Sequence, residues 1–136
     1  MALSDKQKVF TFNIHRLIEF AFKNGFELTF GEVSRPQSQI WLNYYGYDIS
    51  NNNGVLSLIK RTPTSKTLQS RHYDRLAADF NIFKNGQLIN DAAIIQPLGE
   101  FWITLNTENV WGGDWNRNHS VLDETFKDPY HFEMKP

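Results

Sequence analysis

The sequence predicts an α+β fold, a single compact domain with a small antiparallel sheet flanked by helices. Three observations carry this. Segments with helical and with strand periodicity follow one another in the order α-β-α-loop-β-β-α-β. An Asn85-Gly86 pair sits between two strand-like segments, a hairpin signal. The 136 residues leave room for one core and little else.

Taken in order, Ser4 followed by Gln7 reads as a capping box. Phe10, Ile14, Leu17, Ile18 and Ala21 then recur at helical spacing, and Gly25 is a stop. One apolar stripe suits a helix laid on a sheet. Phe26, Leu28 and Phe30 alternate with Glu27 and Thr29, the period of a half-buried strand. A second helix opens at Pro36, runs through Ile40, Trp41, Leu42 and Tyr44, and stops near Gly46. Asn51 to Gly54 reads as a turn, and Lys60 to Ser70 as an exposed polar loop. Strand pattern returns from Leu76 to Phe83 and, after the Asn-Gly turn, at Gln87 to Ile89. A third helix is expected within Asn90 to Leu105, its start blurred by Pro97 and Gly99. Val110 to Lys127 reads as loop, and Tyr130, Phe132 and Met134 alternate with His131 and Glu133 as a last strand.

Composition excludes several classes of function. Fourteen basic and fifteen acidic residues give a net charge of −1, which argues against nucleic-acid binding driven by counterion release. No cysteine is present, so disulfides, thiol catalysis and thiolate ligands are out. Any metal site must therefore use His and carboxylates. There is no apolar run of about 18 residues for a membrane span. The N-terminus, Met-Ala-Leu-Ser-Asp-Lys, does not read as a signal peptide. Neither His-Glu-x-x-His, nor Gly-x-Ser-x-Gly, nor a Walker-type phosphate loop occurs.

Four histidines remain as chemical candidates. His15 reads as a structural residue of the first helix. His119, in a polar loop, is either a solvated side chain or a substrate contact. His72 precedes the strand bearing Asp79, an acid between Ala78 and Phe80 that must face solvent or have a strong partner. His131 lies on the opposite strand face from Tyr130 and Phe132, with Asp128 just before it. Two imidazoles and a carboxylate are a ligand set for catalytic zinc, and a further carboxylate can act as general base. Spacing alone does not bring these residues together.

The segment Ser70-Arg71-His72-Tyr73-Asp74-Arg75-Leu76-Ala77-Ala78-Asp79 resembles the S-x-H-x-x-G-x-A-x-D signature of the D-alanyl-D-alanine carboxypeptidase family of zinc peptidases. Asp128-Pro129-Tyr130-His131 resembles that family's second element, an acid three residues before a terminal His. Trp111-Gly112-Gly113-Asp114-Trp115 and His131-Phe132-Glu133 are similar to its phage branch, the L-alanyl-D-glutamate endopeptidases that serve as endolysins. Ser34-Arg35-Pro36-Gln37-Ser38-Gln39 resembles the Arg-bearing turn upstream of the metal motif. The resemblance runs from about residue 31 to the C-terminus, in the family's order.

The resemblance implies Zn2+ held by His72, Asp79 and His131, with Asp128 as the catalytic acid and base. Arg35 matches the arginine on the scissile carbonyl or oxyanion. Ser70, Gln39 and Trp115 are the implied substrate-binding residues. Trp111, Trp115 and Tyr130 are each cleft or core residues, and Asp114 is either a substrate contact or a loop cap. Arg75 stands where the signature has Gly, which a positive φ at that position would make strained. Tyr130 replaces the Trp often found before the last His.

The expected function is a zinc metallopeptidase spanning 1–136, with no separate cell-wall-binding domain. It hydrolyses the peptide stem of bacterial peptidoglycan at the L-alanyl-D-glutamate bond, as a phage endolysin. The alternatives are a D-alanyl-D-alanine carboxypeptidase with the same metal site, or a non-catalytic cell-wall-binding module. The expected partner is peptidoglycan, with no nucleic acid and no membrane span, and the chain is expected to be a monomer. It would stay in the host cytoplasm until released to the cell wall.

Overall fold

The computed structural model describes residues 1–136. Its elements are α1 (Leu3–Lys23), β1 (Phe26–Phe30), α2 (Gln37–Tyr45), β2 (Tyr47–Asn52), β3 (Val55–Lys60), β4 (Ala77–Lys84), β5 (Gln87–Leu88), α3 (Ala92–Leu105), β6 (Asn109–Trp111) and β7 (His131–Met134). The α+β class is as expected.

Alternation in β4 sets the architecture, because successive strand side chains point to opposite faces. Ala78, Phe80 and Ile82 are buried among Phe10, Ile14 and Leu17 of α1 and Ile95, Leu98 and Trp102 of α3. Asp79 points to the other face. The antiparallel sheet runs β1-β4-β7-β6, with β5 paired to the far half of β4. Its register places Asp79 opposite His131 and Ala77 opposite Glu133, so one face gathers polar groups while Ala78 and Phe132 pair on the core face. Trp102 is the centre of the core. Its ring packs edge-on against Phe10 and Phe132 at 5.6 and 6.1 Å between centroids. The indole N–H donates to the carbonyls of Val110 and Glu133, both at 3.1 Å, so this buried polar group is satisfied and joins α3 to β6 and β7. Burying a side chain of this size contributes about 2–3 kcal/mol.

Several sequence expectations are corrected. The capping box does not form: α1 starts after Ala2, with no side-chain cap. Its first turn is exposed, so water satisfies the free N–H groups there. Gln7 instead donates Nε2–H to the half-buried carbonyl of Asp74 at 2.7 Å, tying α1 to the turn after His72. Two further strands, β2 and β3, flank the Asn51–Gly54 turn as a separate hairpin packed beside α2. Every residue of β3 is exposed, so no burial period marks it. The stretch expected as loop from Val110 opens with β6, whose three residues are all buried and are held by β7. Pro97 does not interrupt α3, whose start is capped by the Asp91 side chain accepting from the Ala93 N–H.

Candidate metal centre

Three parts of the chain meet on the polar face of the sheet. A turn before β4 carries His72: Ser70 accepts the N–H groups of His72 and Tyr73, and the N–H of Arg75 reaches the His72 carbonyl. This turn requires a left-handed residue, and Arg75 supplies it at φ +57°. The turn that Gly would favour is therefore kept, with Arg under strain. β4 supplies Asp79, and β7 supplies His131 directly across from it.

The donor atoms of His72, Asp79 and His131 all lie within 4.8 Å of one another. Asp79 Oδ2 is 3.4 Å from His72 Nε2, and Oδ1 is 3.0 Å from His131 Nδ1. Each ring turns its remaining nitrogen toward a glutamate, Glu133 at 2.7 Å from His131 Nε2 and Glu32 at 3.9 Å from His72 Nδ1. A carboxylate behind each imidazole is the arrangement that orients histidine ligands. His72 Nδ1 is moreover buried with no hydrogen-bond partner. Two imidazoles, one shared carboxylate and two outer carboxylates fit a divalent cation, so this group can hold a metal.

The charges bear this out. Burial raises the Asp79 carboxyl, but hydrogen bonds and charge from His131 and His72 outweigh it and hold the group down at about 2. Burial lowers His131, yet its hydrogen bonds to Asp79 and Glu133 push it up to about 9. The face is thus built to favour positive charge.

Asp128 comes to the same site through a tight turn. The His131 N–H donates to the Asp128 carbonyl at 3.0 Å, and the Asp128 N–H donates to Gly112 at 2.8 Å. Gly112 is required here: a Cβ would lie 2.1 Å from the Asp128 oxygen. Burial raises the Asp128 carboxyl, and the Asp79 charge adds to this against the opposing histidines.

A cavity of about 730 Å³ opens over these groups, lined by Arg35, Ser70, His72, Asp79, Asp128 and His131, with Trp115 and Phe126 on one wall. Arg35 pairs through Nε with Glu32 and reaches Ser70 Oγ with Nη1 at 3.4 Å. Trp115 lies over His131, with ring centroids 5.4 Å apart, and is anchored by its N–H to the Phe126 carbonyl. Gln39 is not on the cavity wall. Its amide instead donates to Asn43 Oδ1 at 2.7 Å, and Asn43 lines the cavity.

Among the open candidates, Trp111 is core, and Asp114 is a loop cap whose two oxygens accept the N–H groups of Asn118 and His119. His119 is exposed and pairs with Glu100 at 2.7 Å, away from the cavity. His15 is an exposed helix residue.

Glu32 and Glu133 escaped the sequence reading as site residues. Glu133 carried a usable signal, since it stands two residues from His131 on one strand and so shares its face. Glu32 carried only its place three residues before Arg35.

No family model matches the chain. No curated protein matches it. Among solved structures, its fold is similar to that of the L-Ala D-Glu endopeptidase ChiX of Serratia marcescens. The two are 19% identical with a TM-score of 0.58, over 90% of this chain and 78% of that one.

Proposed function

We propose that this protein is a zinc metallopeptidase that hydrolyses the peptide stem of bacterial peptidoglycan, at the L-alanyl-D-glutamate bond. The observation that carries this reading is the His72, Asp79 and His131 donor set with the half-buried Asp128 beside it in one cavity. The fold likeness to an L-Ala D-Glu endopeptidase supports the choice of substrate.

A divalent ion on these three residues would supply Lewis acidity toward a peptide carbonyl and make water a competent nucleophile near neutral pH. Asp128 takes the proton of the attacking water and delivers it to the leaving amine. Its pKa, raised first by burial, makes it a better acceptor of the water's proton than a free carboxylate. Arg35 stands on the cavity wall to meet the developing oxyanion with a charge-assisted hydrogen bond. Ser70 keeps Arg35 and the His72 turn in register. Trp115 and Phe126 give the stem an apolar wall, and Gln39 acts through Asn43.

In this reading residues 1–136 form one catalytic domain, and its biological setting is host lysis by a phage. The test is mass spectrometry of purified Gram-negative peptidoglycan digested with and without a zinc chelator. New L-alanine carboxyl and D-glutamate amino ends that vanish with chelation establish the endopeptidase. Free D-alanine would assign a carboxypeptidase on the same metal site. Zinc binding without any product would leave a wall-binding module.

A further inference from the structure

Glu32 takes no part in the chemistry above, yet it touches two groups that do. It follows β1, and its backbone is locked to the centre of the sheet. The Asp79 N–H donates to the Glu32 carbonyl, and the Gly31 N–H donates to the Asp79 carbonyl, both at 2.8 Å. From this fixed point the carboxylate accepts from Arg35 Nε, and the same oxygen lies 3.9 Å from His72 Nδ1.

The chemistry of His72 calls for such a neighbour. Its Nε2 faces Asp79 at 3.4 Å, so this is the nitrogen available to an ion. A neutral imidazole that ligates through Nε2 carries its proton on Nδ1. That Nδ1 is buried with no hydrogen-bond partner. A buried donor without an acceptor is costly, and the Glu32 carboxylate is the acceptor the structure places beside it. On the other ring the same need is already met by Glu133 at 2.7 Å.

We propose that Glu32 is a positioning residue of the metal centre. Its carboxylate closes onto His72 Nδ1–H when an ion is held at Nε2, fixing the tautomer and the ring, while it keeps Arg35 at the cavity wall. One side chain thereby links the metal to the oxyanion donor. The inference rests on the reading of His72, Asp79 and His131 as metal ligands.

The experiment is a zinc titration of the full chain against a chromophoric chelator, for wild type, Glu32→Ala and Glu32→Gln. The thermal midpoint of each metal-free protein is recorded alongside. Glu32→Ala is expected to bind zinc about 10–100-fold more weakly, with little change in the metal-free midpoint. Glu32→Gln keeps an acceptor oxygen without the charge and is expected to fall between the two. Equal zinc affinity in Glu32→Ala and wild type would overturn the role of Glu32 and leave the metal centre intact. Weakened binding that follows a lowered metal-free midpoint, with no recovery in Glu32→Gln, would also overturn it by making Glu32 a structural residue. No zinc uptake by the wild-type chain would overturn the metal reading itself, and this inference with it.

Discussion

Asp128 is the residue on which chemistry and stability pull apart. Its folded pKa is raised above the ordinary 3.8, first by burial. Ionising it therefore costs the metal-free protein stability at neutral pH, and that cost fades as the pH falls through the folded value. Asp128→Asn should raise the metal-free thermal midpoint at pH 7, with no gain below pH 3.8. The same variant should keep zinc but cut peptidoglycan turnover by about 10²–10⁴-fold, measured by product release. His131 has the opposite linkage. Its pKa rises from 6.5 to about 9, so its contribution is fully present below 6.5 and is lost as the pH climbs through about 9. Between those values zinc must displace that proton, and calorimetry in buffers of differing ionisation enthalpy should show release of about one proton per ion. Arg75 offers a cleaner test of strain. Arg75→Gly should stabilise the protein by about 1 kcal/mol in urea unfolding, because Gly adopts φ +57° without the Cβ clash. His72, Asp79, Asp128 and His131 were legible as candidates because they fall in two short segments that resemble family motifs, His72 to Asp79 and Asp128 to His131, and the structure brings all four to one cavity. Glu32 was not, because it meets His72 only through sheet pairing, which leaves no local trace in the sequence.

At the level of elements, strands with alternating side chains or a hairpin turn were readable, while the largely exposed β2–β3 hairpin and the short, wholly buried β6 were not. The helix α1 and strand β4 each bury one face, and in β1 and β7 apolar and polar side chains alternate, so their periods follow the helical or strand rule. The β2–β3 hairpin buries neither side: Ile49, Val55, Leu56, Leu58 and Ile59 are all more than half exposed. Its existence rests on backbone pairing, which leaves little imprint on sequence. Leu56→Ser and Leu58→Ser should accordingly each change unfolding free energy by no more than about 0.5 kcal/mol. The turn joining β6 to the site should behave in the opposite way. In Gly112→Ala the new Cβ meets the Asp128 carbonyl at 2.1 Å and the His131 Cβ at 3.1 Å. Backbone must move, so a loss of about 2–4 kcal/mol in urea unfolding is expected, with weakened zinc binding beside it.

Over the whole molecule, the candidate metal joins a turn, the central strand and the last strand. Its binding energy is therefore added to folding stability. At about 1,000 times the dissociation constant, zinc should contribute about 4 kcal/mol and raise the thermal midpoint by about 14 °C, a shift that a chelator reverses. The sheet also divides its labour: Ala78 and Phe132 face the helices, while Asp79 and His131 face the cavity. β7 is only four residues long and pairs with β4 through three of them, so backbone bonds alone would tolerate a slip. A slip of one residue exchanges the faces, sending the His131 imidazole into hydrocarbon and Phe132 into a ring of carboxylates. The polar groups thus work as a lock on strand alignment. The side chains that gather at the candidate site would penalise a misaligned strand.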